Sequence, residues 1–71
     1  MITLYREAAW RIAVYGRDHG IPHFHIEGPG FRASVSIEGL ELIVGTAPGR
    51  ILGAAREHQD VLIATWRELN G

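Results

Sequence analysis

Residues 22–38 read PHFHIEGPGFRASVSIE, two alternating runs joined by Gly28-Pro29-Gly30. In the second run Phe31, Ala33, Val35 and Ile37 point one way and Arg32, Ser34, Ser36 and Glu38 the other. That period of two belongs to a strand with one buried face. In the first run Phe24 and Ile26 share a face, which turns His23 and His25 to the opposite one. Pro22 is tolerated only at the start of such a strand, because it has no N–H to give to a ladder. The GPG link is too short for a crossover, so the two strands are antiparallel neighbours.

The same reading extends outward. Residues 10–15 (WRIAVY) are β-branched and aromatic, with Trp10, Ile12 and Val14 on one face and Arg11, Ala13 and Tyr15 on the other. Residues 16–21 (GRDHGI) are turn chemistry, Glu38-Gly39 suits a short turn, and residues 40–44 (LELIV) supply a further strand. Four strands without an intervening helix argue against a nucleotide-binding βαβ unit. Residues 2–9 are either a short edge strand or an irregular lead-in. From Pro48, tolerated in a first helical turn, to Leu69 the spacing is helical, with Leu52, Ala55, Leu62, Trp66 and Leu69 on one stripe and Ile51 and Val61 beside it. The expected fold class is α+β: a four-stranded antiparallel meander with one C-terminal helix packed on one face (ββββα). Its core would take Ile12, Val14, Phe24, Ile26, Val35, Ile37, Leu40 and Leu42 from the sheet and the stripe from the helix.

Seventy-one residues, 46% of them apolar and 21% charged, make one globular domain over residues 1–71. Cysteine is absent, which excludes disulfides and leaves only imidazole and oxygen ligands for a metal. Seven arginines against eight acids give a formal charge of −1, with no lysine. That balance does not suggest general nucleic-acid affinity. Arg6, Arg11, Arg17 and Arg32 can still form a local patch, so a nucleic-acid partner stays open. No apolar run approaches the roughly 18 residues of a membrane span, and the start lacks the pattern of a secretory signal. A cytoplasmic protein is expected.

Three of the four histidines fall within residues 19–25. Side chains two apart on a strand stand about 6.5–7 Å from each other, so His23 and His25 can converge on one metal or one phosphate. Asp18, His19 and Glu27 lie at the strand's ends and can add a ligand; His58 can join only if the helix end wraps to that side. A zinc site asks for three or four ligands, and histidines on an exposed strand are also ordinary surface residues. The same face carries Ala13, Tyr15, Ser34, Ser36 and Ile43. It is poor in charge for a solvated surface, which suggests cover by a second copy or a partner.

The chain resembles the small bacterial proteins grouped as domain of unknown function family 4160. Asp18-His19-Gly20-Ile21-Pro22-His23-Phe24-His25 carries the resemblance, with Ile21 where the family usually has a second proline. It continues through the alternating strand ending near Ile37, the approach at residues 45–48, and His58, Asp60, Leu62 and Trp66. It implies that His19, His23 and His25 act as a group, and it implies association with two-gene, toxin–antitoxin-like modules.

Three functions follow as expectations. The first is a partner-binding component of a toxin–antitoxin-like pair, a homodimer or a heterodimer with a small neighbouring-gene protein. The second is a histidine-dependent or metal-dependent hydrolase or RNA-cleaving toxin. Imidazole ordinarily titrates near neutrality and so serves as acid or base, while Arg17 or Arg32 holds the phosphate. The third is a metal-binding protein without catalysis, with His19, His23 and His25 around a divalent ion such as zinc.

Overall fold

The computed structural model describes residues 1–17 and 20–71. The chain runs β1 (Ile2–Arg6), β2 (Arg11–Val14), β3 (His23–Gly28), β4 (Phe31–Ser36), β5 (Leu42–Gly45), α1 (Gly49–Glu57) and α2 (Gln59–Asn70). The strands form one sheet in chain order, each antiparallel to the next. The α+β class and the antiparallel meander are as expected. The sheet has five strands rather than four, and two helices stand where one was expected.

β1 is the added strand, and a bulge explains why its sequence is hard to read. Thr3 pairs with Ala13, but Tyr5 pairs with Ile12, so the register shifts between them. Thr3 therefore lies on the histidine face and Tyr5 on the core face, although residues two apart normally share a side. One inserted residue removes the alternation from the sequence.

The helical segment begins at Gly49, with Pro48 extended at the cap of α1 rather than within its first turn. It breaks at His58, where φ −110° and ψ 16° are non-helical. Just past the break, the Gln59 side-chain amide donates to the carbonyls of Ile37 (2.6 Å) and Glu38 (3.0 Å), beyond the end of β4. At the far end of α2, Asn70 donates to the carbonyl of Tyr15 (3.1 Å), beyond the end of β2. So α2 runs along the ends of the strands, passing the start of β3.

The core holds Ile12, Val14, Phe24, Ile26, Val35 and Ile37 from the sheet, with Ile51, Ala55, Leu62 and Trp66 from the helices. Ile51 takes the inner place expected of Leu52, which is only half-buried, as are Leu40 and Leu69. Leu42 is 47% exposed rather than buried. It lies on β5, at the sheet's edge, a strand exposed along its whole length. Gly45 closes that strand at φ 82°, and a Cβ there would run into the carbonyl oxygen of Arg32.

Candidate functional site

The strand registers stack the polar face into three rows. Arg11, Glu27 and Arg32 form the first, Ala13, His25 and Ser34 the second, and His23 with Ser36 the third. Each row exists because alternation sends Phe24 and Ile26 to the core and their neighbours the other way.

In the first row Glu27 Oε1 accepts from Arg11, at 2.8 Å from Nε and 2.7 Å from Nη2, and from the Tyr15 hydroxyl at 3.3 Å. Its other oxygen meets Arg32 Nη2 at 3.4 Å. The hydrogen bond from Arg11 holds the Glu27 carboxyl below its ordinary range; partial burial opposes that, and the Arg11 charge, the Tyr15 hydroxyl and the Arg32 charge add to it.

In the second row the rings of Tyr15 and His25 meet at right angles, with centroids 4.7 Å apart. The Tyr15 hydroxyl reaches back to Glu27, and Ala13 beneath that span is fully buried. Ser34 Oγ lies 3.4 Å from His25 Nδ1. In the third row His23 Nδ1 is 2.8 Å from the carbonyl oxygen of Ile21, which it meets as an N–H donor. The His23 ring lies 5.1 Å from that of His25 and 4.9 Å from that of Trp66. Ser36 is buried and accepts the Glu41 N–H at 3.0 Å.

β5 borders this face. Val44 pairs with Ser34 and Leu42 with Val35, so Ile43 is the extra residue of a bulge. The bulge brings Ile43 and Val44 to one hollow of about 360 Å³, shared with Gly20, Ile21, His23 and Ser34. A second hollow of about 200 Å³ is lined by His25, Glu27, Arg32, Ala33, Ser34 and Val44.

The structure thus brings together His23, His25 and, through Glu27, Arg32. Arg17 stands exposed in a turn at φ 61°, and no contact among the described residues joins it to this face. Asp18 and His19 lie outside the described residues. His58 packs against Tyr5 at 5.0 Å and does not join the pair. Among the described residues no group of three or more His, Asp or Glu side chains is gathered for a metal ion. Sequence reasoning missed Arg11 and Tyr15 as partners of Glu27, although the outward positions of β2 and β3 bring them together. It also missed Trp66 beside His23, because the helical period marks the indole as apolar without saying which strand end it meets.

These features define a small α+β domain with paired imidazoles on the sheet face opposite its core. Residues 9–67 match the family described as Domain of unknown function (DUF4160), and the chain belongs to it. No curated protein and no solved structure matches the chain. No helix among the described residues is long and apolar enough to cross a membrane.

Proposed function

We propose that the protein is a cytoplasmic binding component of a small toxin–antitoxin-like pair that docks its protein partner along β5. The observation carrying this reading is the exposed edge: Leu42, Ile43 and Val44 are successive large apolar residues exposed at 47%, 47% and 66%. Edge strands are usually guarded by charge, proline or cover, because their unpaired backbone groups template a strand from another chain. Added strands gain affinity from the backbone and specificity from alternate side chains. The purified protein pairs β5 with a second copy; in the cell a small neighbouring-gene protein takes that place. Sedimentation at micromolar concentration tests this. A dimer is expected for the native chain and a monomer for Leu42→Lys that keeps the parent's circular dichroism spectrum; a native monomer sinks the homodimer.

A second reading is favoured by the 5.1 Å approach of the His23 and His25 rings. Two imidazoles at that separation, with Arg32 nearby, suit acid–base work on a phosphodiester. His23 also anchors one ring nitrogen on a backbone carbonyl, as metal-ligating histidines do, and His19 is the third ligand the sequence offers for zinc. Growth arrest on expression that His25→Ala abolishes supports this reading, and arrest that survives loss of both histidines removes it. Metal analysis of untagged protein separates a metal-dependent site from a metal-free one.

A further inference from the structure

The two hollows beside β5 share Ser34 and Val44, so they adjoin. Their outer ends differ in chemistry. One ends at Arg32 and Glu27, the other at Ile21, Ile43 and His23. We propose that together they form one groove for a nucleotide unit of a single-stranded nucleic acid, with phosphate at Arg32, Ser34 and His25 and base against Ile43 and Val44.

The charged end is arranged to accept an anion. Two guanidinium groups, Arg11 and Arg32, meet one carboxylate, Glu27, leaving a net positive charge on that row. The two guanidinium groups are held unequally. Arg11 grips Glu27 at 2.7 Å, whereas Arg32 is 81% exposed and touches it at 3.4 Å. Arg32 can therefore turn to a phosphate without leaving Glu27 unpaired. The Ser34 hydroxyl, two residues along the same face, offers a further donor. A free phosphate would use only this end.

The apolar end supplies what a base requires. An unpaired base presents two flat faces that aliphatic and imidazole side chains can cover, whereas a base in a duplex is already stacked. The bulge places two consecutive aliphatic residues at this spot, where regular alternation would supply one. Of the three exposed apolar residues of β5, Ile43 and Val44 line the groove and Leu42 does not. The formal charge of −1 means that affinity comes from one built site and not from a broad basic field.

The inference deepens the second reading, so binding is measured apart from cleavage. The probes are inorganic phosphate, uridine 5′-monophosphate, a phosphoserine peptide and a 2′-O-methylated hexauridylate, each titrated with chelator while backbone amides are followed by NMR. The nucleotide should shift residues 32–34 and 43–44 and bind at least about tenfold tighter than phosphate. Arg32→Gln should weaken it by about tenfold or more. Val44→Ser should weaken the nucleotide by about three- to tenfold and leave phosphate unchanged. One phosphate contact predicts a salt slope of about −0.7 for the oligonucleotide. Both substituted residues are exposed, and an unchanged melting midpoint shows that the variants fold. A nucleotide that binds no tighter than phosphate or the phosphopeptide, or shifts confined to other residues, overturns the proposal. Binding without cleavage of unmodified RNA keeps the groove and removes the enzyme. Cleavage indifferent to Arg32→Gln removes the groove and keeps the enzyme.

Discussion

Glu27 shows how one side chain organises a surface. Its carboxylate ties β2 to β4 through Arg11 and Arg32 while accepting the Tyr15 hydroxyl. Because its folded-state proton affinity is depressed, its contribution is complete above its ordinary value of 4.5 and lost as pH falls through the lower folded value. Glu27→Gln should therefore flatten the acid side of the stability curve, read as urea midpoints between about pH 5 and pH 3. A variant with the parent's acid slope would place the sensitivity on other carboxylates. Trp66 makes the second case. It is buried in the core and also meets His23 across the strand ends. Trp66→Ala should cost about 3–5 kcal/mol in chemical denaturation, close to the whole stability of a small domain. The indole's burial was legible from its place on the Leu62–Leu69 stripe. Its meeting with His23 was not, because periodicity says which side is apolar and not where a helix turns.

At the scale of elements, β2, β3, β4 and the helix start at Pro48 were legible because each obeys a single period or a single punctuating residue. The lapses in the strands share a cause: a local shift in phase. The bulge in β1 moves Tyr5 to the other face from Thr3, and the bulge in β5 inserts Ile43. A period-two reading across either bulge assigns the wrong side to everything beyond it. The break at His58 leaves the helical stripe in place, with Ala55 before it and Leu62 and Trp66 after it all buried. Two glycines test the elements from opposite directions. Gly53 sits within α1 with open space where a Cβ would go, so Gly53→Ala should raise stability by about 0.5–1 kcal/mol. Gly45 has φ 82° and no room against the Arg32 carbonyl. Gly45→Ala should cost more than the roughly 1–2 kcal/mol of a left-handed backbone alone, with β5 amides exchanging first. Thermal midpoints and hydrogen exchange check both.

At the scale of the molecule, a chain with a radius of gyration of 10.9 Å has little interior and a long perimeter. Which residues share its polar face was legible from the alternation of β2, β3 and β4. The exposed edge was not, because Leu42 read as core, whereas it stands 47% exposed on the edge strand. The strand order, identical to the order of the chain, has its own consequence. Each strand from β2 onward finds its partner already present, one short loop behind it, so few long loops must close before contacts repay them. Refolding should be a single exponential on the order of milliseconds, followed by tryptophan fluorescence after dilution from denaturant. The same order makes assembly directional as the chain leaves the ribosome. The growing sheet always presents its newest strand as a bare edge until the next one arrives. Among the described residues β5 is the last strand to join, and it stays exposed along its whole length.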